Sequence, residues 1–138
     1  MATIEGAILE WVEIIQAVDG IQNVPDTPLE QVTSTPQVMI YNTDGFSLNE
    51  PNDIEKSLHN VQLAVVMPLS NLSYAIKTML PLYEKIVKAL WDHRNSRASA
   101  NAATFEQITY TFGIIEWAQL DLYGYIFTLN NVKIWNNL

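Results

Sequence analysis

The residues best suited to acid–base or nucleophilic chemistry in this sequence are two histidines and a few serines. His59 lies at the start of an alternating apolar segment, and His93 precedes Arg94 near the end of a long amphipathic segment. A histidine in the last turn of a helix is stabilised by the helix dipole, and one on an apolar strand face is commonly structural. No serine stands in the Gly-x-Ser-x-Gly pattern of a nucleophile elbow. We therefore predict no catalytic residue among them.

Four carboxylates that lie close together in the sequence are candidates for a cation site or for glycoside hydrolysis: Asp44, Glu50, Asp53 and Glu55. Their spacing does not match a calcium loop, and the Asp44-Gly45 pair is typical of a solvated turn. The five glycines are scattered singly, so no phosphate-binding pattern is present, and the absence of cysteine excludes thiolate metal sites. We expect no metal, no cofactor and no enzymatic activity.

The composition points to a protein that associates with copies of itself. The chain has 138 residues, with 7 Lys+Arg against 15 Asp+Glu and a formal net charge of −8, which disfavours a DNA-binding surface. No apolar run reaches the ~20 residues of a membrane-spanning helix, and acidic residues near the N-terminus disfavour a signal peptide. Charged residues make up only 16% of the chain, where about 25% is typical. Because charge is depleted at interface cores, we expect self-association of a soluble domain.

The charges are also distributed unevenly along the chain. The first 55 residues contain ten acidic residues and no basic one, whereas five of the seven bases lie between residues 77 and 97. One interpretation is an acidic face beside a helix of mixed charge. The other is a head-to-tail contact in which the acidic half of one copy meets Lys85 and Lys88 of the next.

Hydrophobic periodicity defines the elements that must position these residues. Helical spacing or strand alternation indicates a helix at 4–18, strands at 37–43 and 59–67, a helix at 71–94, and strands at 104–117 and 122–134. The apolar phase of the second helix continues through Pro81, so we predict one bent helix. Ala118 and Gln119 occupy a tight turn between the last two strands. The order α-β-β-α-β-β predicts an α+β fold, with an antiparallel sheet of about four strands in two hairpins packed with two helices.

The remaining segments are predicted to lack regular structure within a single domain spanning 1–138. Residues 21–36 contain three prolines and form an extended arm. Residues 44–57 and 95–103 are polar or small and form loops.

Several side chains are candidates for a subunit interface because the predicted elements leave them without a core partner. Leu9 falls on the polar side of the first helix. The middle of the last strand, including Tyr123 and Tyr125, is apolar on both faces, which is typical of a strand with helices on one side and a neighbouring subunit on the other. Trp135 lies beyond the expected end of that strand, so another subunit is a candidate to cover it.

The length of the chain and the order of its predicted elements resemble those of a known group of proteins. The segments that carry the likeness are the Glu5–Val18 helix, the proline-bearing arm, Pro36-Gln-Val-Met-Ile-Tyr, Val61-Gln-Leu-Ala-Val-Val-Met-Pro, the long helix, Tyr110-Thr-Phe-Gly-Ile-Ile-Glu-Trp and Tyr123-Gly-Tyr-Ile-Phe-Thr-Leu. In length and element order they resemble small structural proteins at the neck of tailed bacteriophages, and most of all the tail-terminator group.

The resemblance implies a non-enzymatic virion protein assembled in the host cytoplasm. Such a protein forms a homo-oligomeric ring, expected to be a hexamer, that caps the tail tube at its head-proximal end and docks the head connector proteins. DNA would pass through the ring without being bound, since acidic walls repel phosphate. Two alternatives remain open: a head-side neck adaptor or stopper and, from a different class, an acidic protein-binding or inhibitor module.

Overall fold

A computed structural model describes residues 3–26, 28, 31–32, 35–50, 54–69, 72–96 and 104–137. Within these residues the chain forms helix α1 (Ile4–Gln16), strands β1 (Gln37–Glu50) and β2 (Ile54–Pro68), helix α2 (Leu72–Ser96), and strands β3 (Gln107–Trp117) and β4 (Leu120–Asn137). The strands make one antiparallel sheet in the order β1-β2-β4-β3. The predicted α+β fold, with its two hairpins and two helices, is confirmed.

Helix α1 follows from a cap at its start and an apolar stripe along its length. The Thr3 hydroxyl accepts a hydrogen bond from the Gly6 N–H at 3.0 Å, which satisfies one of the free donors of the first turn. The buried stripe consists of Ala7, Trp11, Val12 and Ile15. The helix ends at Gln16, two residues earlier than expected, and Gly20 adopts a left-handed φ of 99° in the turn that follows.

Helix α2 is continuous through Pro81, as predicted. Pro81 is exposed, so the carbonyl that loses its hydrogen bond is on the solvent side of the helix. The buried stripe consists of Ala75, Met79, Leu82, Ile86 and Leu90. Leu72 and Ile76, which continue the apolar spacing of this helix, are 50% and 42% exposed.

The predicted loop at 44–57 is wrong, because β1 extends to Glu50 and β2 begins at Ile54. Asp44 and Gly45 are strand residues paired with Asn60 and His59, and a register shift between Asn42 and Asp44 marks a bulge where a turn was expected. Polar residues sustain these strands because backbone hydrogen bonds of the ladder do not depend on side-chain apolarity. Residues 51–53 lie outside the described residues.

The main core lies between the helices and one face of the sheet. On that face the alternate residues of β2 and β4 are buried, including Leu63, Val65 and Phe127. Phe105, just before β3, joins them by packing its ring 6.4 Å from Trp11 and 4.9 Å from Trp91. Edge contacts of this kind add to the burial of large rings.

The second face of the sheet carries its own small core, without a helix among the described residues. Met39, Ala64 and Val66 are fully buried there, and Val32 of the arm packs against them. The sheet curls enough to bring the ring of Tyr41 on β1 within 5.7 Å of Trp117 at the end of β3. The chain itself thus covers part of the face of β4 that was expected to meet a neighbouring subunit, around Leu122 and the partly buried Ile126.

The arm pairs with the sheet at one point. The Asn23 carbonyl accepts from the Val38 N–H at 2.9 Å, and the Gln22 N–H donates to the Pro36 carbonyl at 3.0 Å, so the start of β1 has a partner on its outer edge. Residues 27, 29–30 and 33–34 lie outside the described residues.

The two remaining predictions about connections have different outcomes. Ala118 and Gln119 both adopt positive φ, at 49° and 70°, as a two-residue hairpin turn requires. Of the predicted loop at 95–103, residues 95 and 96 belong to α2 and residues 97–103 lie outside the described residues.

Candidate functional site

The helix layer covers the sheet unevenly. Helix α2 reaches the β3 side of the sheet through Tyr83, whose ring stacks 5.9 Å from Phe127 and lies 4.5 Å from Tyr110. Desolvation and the neighbouring Tyr110 hydroxyl raise the pKa of Tyr83. Beyond this contact no described helix lies over β3, which is the last strand on that side of the sheet.

Exposed large apolar side chains of β3 and α2 flank the Tyr83–Tyr110 contact, and we call them together the β3 shelf. The residues Tyr110, Phe112 and Ile114 alternate along β3, so they share the helix-side face. Two residues of α2 lie at i−7 and i−3 from Tyr83 and therefore project to the same side of the helix. The shelf consists of Ile76 (42% exposed), Leu80 (60%), Tyr110 (49%), Phe112 (38%) and Ile114 (65%).

The five side chains of the shelf are 38–65% exposed. Single apolar side chains are common at protein surfaces, but contiguous patches of large ones mark interaction sites. In addition, the outer edge of β3 has no strand partner among the described residues, so its backbone donors and acceptors face outward. The shelf and the open strand edge lie on the same side of the molecule.

A second apolar surface, which we call the α1 groove, lies at the opposite edge of the sheet. It is a depression of about 260 Å³ between α1, the arm and β1. Its apolar lining comes from Ile4, Ile8, Leu9, Pro28, Ile40 and Tyr41, and its charged lining from Glu5 and Asp26. Leu9 is 40% exposed there, so the structure places this predicted contact residue at a concave apolar site.

The predicted basic contact residues lie elsewhere and take part in ion pairs within the chain. Lys85 Nζ lies 3.8 Å from an Asp19 carboxylate oxygen, and Lys88 Nζ lies 2.9 Å from Asp92. The hydrogen bond from Asp92 raises the pKa of Lys88. Among the lysines with described side chains, only Lys77 has no carboxylate partner, and Lys77 is adjacent to the β3 shelf, one turn before Leu80.

The aromatic contact candidates on β4 separate into three situations. Tyr123 is half-buried and lies directly across from Ile114, at the border of the β3 shelf. Tyr125 is only 5% exposed and packs among core rings, so it is not a surface contact in this chain. Trp135 lies within β4, opposite Lys56, so the prediction that it follows the strand is wrong; its side chain is not described.

The nearest approach to a catalytic arrangement is a serine–histidine pair on β2. Nε2 of His59 lies 3.0 Å from the Ser57 hydroxyl oxygen. Its Nδ1 is buried without a hydrogen-bond partner among the described residues, so no described carboxylate orients the ring as in a catalytic triad. Burial lowers the pKa of His59, which favours the neutral ring.

A polar chain of side chains crosses the sheet at its bulges. Asn60 Nδ2 donates to Asp44 at 2.7 Å, the Asn131 N–H donates to Asn60 at 3.4 Å, and Asn131 Nδ2 donates to Glu106 at 3.1 Å. Asn131 has a left-handed φ of 56°, so these bonds stabilise irregular backbone where the register shifts.

Of the four clustered carboxylates, only Asp44 has a described side chain, and it serves this polar chain of hydrogen bonds. In the described part of the protein, no group of three or more His, Cys, Asp or Glu side chains is placed to hold a metal ion. Neither described helix has the length and apolar character to cross a membrane. Comparison of the sequence with known protein families and with curated protein sequences finds no match.

Sequence patterns identified the apolar character of the shelf residues but did not predict that they are exposed. A signal was available in the width of the α2 arc, since Ile76 and Leu80 extend it well beyond the buried stripe.

Proposed function

We propose that this protein is a non-enzymatic, ring-forming structural subunit of a tailed bacteriophage, and that it acts as a tail terminator. The observation that carries the proposal is the β3 shelf, a contiguous apolar surface beside an open strand edge. A monomer exposes these groups to water at a cost, whereas a ring of copies buries them. The tail-terminator role itself rests on the resemblance in length and element order.

The charge of the chain is compatible with this role. A ring through which DNA passes should not bind the phosphate backbone tightly. The net charge of −8 on each copy disfavours such binding, because like charges repel. In this proposal the ring caps the head-proximal end of the tail tube and offers its other face to the head connector. DNA is a passing cargo, and no membrane takes part.

The experiment tests both assembly and position in the virion. Fluorescently labelled protein is incubated with isolated tails and, separately, with DNA-filled heads of the same phage, and bound particles are viewed by electron microscopy. We expect a single ring at the head-proximal end of the tails. Binding to heads alone would identify a head-side neck adaptor, and a monomer bound to neither particle would overturn the proposal.

A further inference from the structure

We propose that the β3 shelf of one copy packs into the α1 groove of the next copy, in a head-to-tail arrangement. This inference rests on the self-association part of the proposed function and names the surfaces that make the contact. The two surfaces lie at opposite edges of the same sheet, the shelf on β3 and the groove beside β1.

The two surfaces fit in shape and polarity. The shelf protrudes through Ile114, whose side chain is 65% exposed, together with Leu80 at 60%. The groove is concave, about 260 Å³ in volume, and large enough to admit aliphatic side chains of this kind. Its floor is formed by Ile8 and Ile40, so the contact replaces water on apolar groups from both copies.

The charges around the two surfaces are complementary. Glu5 and Asp26 line the groove, and neither has a basic partner among the described residues. Lys77 borders the shelf and also has no carboxylate partner there. Head-to-tail packing brings opposite charges to the border of the interface, whereas shelf-to-shelf packing would bring Lys77 of one copy toward Lys77 of the other.

This arrangement also bears on how many copies assemble. An interface between two different surfaces leaves one of each unfilled in any open chain of subunits, so the assembly must close to bury every shelf and every groove. A symmetric dimer through the shelf would leave the groove exposed in both copies. The contact therefore favours a closed ring over a dimer made through the shelf alone.

The absence of cysteine from the chain permits a direct test by disulfide cross-linking. Three variants are compared under oxidising conditions on non-reducing gels: Ile114→Cys, Leu9→Cys, and the two combined. We expect a ladder of multimers from the double variant and from no single variant, because shelf meets groove and never itself. A dimer from Ile114→Cys alone would show shelf-to-shelf packing, and monomers in all three would show no contact; either result overturns the inference.

A charge exchange tests the same contact without cross-linking. We expect Lys77→Glu and Glu5→Lys each to weaken self-association by roughly threefold at low salt, as for other exposed ion pairs, and the double exchange to restore it. Glu13→Lys makes the same charge change on an exposed position of α1 that does not line the groove, and serves as the control. Absence of rescue by the double exchange would contradict the proposed pairing.

Failure of this inference is distinguishable from failure of the proposed function. Each cross-linking variant is also tested for capping of isolated tails under reducing conditions. A multimer ladder without tail capping would leave the shelf–groove contact standing and overturn the tail-terminator role. Tail capping without a multimer ladder would support the tail-terminator role and overturn the shelf–groove contact.

Discussion

The environment of His59 combines a buried ring nitrogen with an irregular part of the sheet. Its Nδ1 has no hydrogen-bond partner, and a Cβ on Gly45 in the adjacent strand would lie only 2.9 Å from that atom. Protonation would place charge where nothing accepts its hydrogen bond.

This environment predicts a pH-dependent stability. The pKa of His59 is lowered in the folded chain from its ordinary 6.5, so the unfolded chain binds the proton more tightly. The stabilising contribution is complete above about pH 6.5 and is lost as the pH falls below that value toward the lowered pKa. Thermal unfolding followed between pH 8 and pH 5 should show a smaller decrease in Tm for His59→Gln than for the natural chain. Equal decreases in Tm for the two proteins would show that His59 is not the source of the pH dependence.

Two phenylalanines separate the contribution of the core from that of the shelf. Phe105 is 1% exposed between two tryptophans, so Phe105→Ala should lower the free energy of unfolding by about 3–5 kcal/mol. Phe112 is 38% exposed, so Phe112→Ala should cost roughly 1–2 kcal/mol. Urea unfolding of dilute protein measures both. Similar losses would mean that the β3 shelf is already covered in the monomer.

At the scale of elements, the β3–β4 hairpin contains two glycines directly opposite each other, with different surroundings. A Cβ on Gly124 would collide with the Val65 carbonyl oxygen of β2 and lie 2.7 Å from Ile115 Cδ1. A Cβ on Gly113 would meet nothing within 4 Å. The Ile115 side chain and the β2 backbone therefore occupy the space that a side chain at position 124 would need.

The pair provides a matched test of this packing. We expect Gly124→Ala to destabilise the fold by roughly 1–3 kcal/mol, since backbone of β2 must move, and Gly113→Ala to be neutral or to stabilise it by up to about 1 kcal/mol. Chemical denaturation of the two variants measures the difference. Equal effects would indicate that the hairpin is not held against β2 in this way.

The basic surface of α2 is an alternative contact at the same scale. Lys85 and Lys88 lie in ion pairs within the chain, near Val18 and Asp19 just after α1. We therefore expect reversal of both lysines to glutamate to weaken self-association less than Lys77→Glu alone, measured by sedimentation at low and high salt. A larger, salt-dependent effect of the double reversal would instead support a contact between the basic helix and the acidic half of the next copy.

At the scale of the whole molecule, assembly should depend on the shelf more than on overall stability. Replacing Ile114 by Asp puts a charge into the proposed contact, and we expect at least about a tenfold weaker self-association with little change in Tm. Thr111→Asp, an exposed position on the other face of the same strand, is the control. Analytical ultracentrifugation measures both variants. If Thr111→Asp weakens assembly as strongly, the relevant face of β3 is the opposite one.

Local chemistry in the sequence determined most of the secondary structure. The cap and apolar stripe of α1, the unbroken apolar phase through Pro81, and the turn at Ala118 and Gln119 all depend on neighbours within a few residues, so they were predictable. The polar continuation of β1 and β2 through Asp44 was missed, because those strands are held by backbone pairing rather than by an alternating apolar pattern.

Only the tertiary structure decided which apolar residues are covered. Alternation places Ile114 and Leu63 each on the apolar face of its own strand, and pairing brings them to the same face of the sheet, yet one is 65% exposed and the other fully buried. The difference arises because β3 is at the edge of the sheet and β2 is beneath the helices. The order of the strands in the sheet depends on pairings between residues far apart in the chain, so it cannot be predicted from a local sequence pattern.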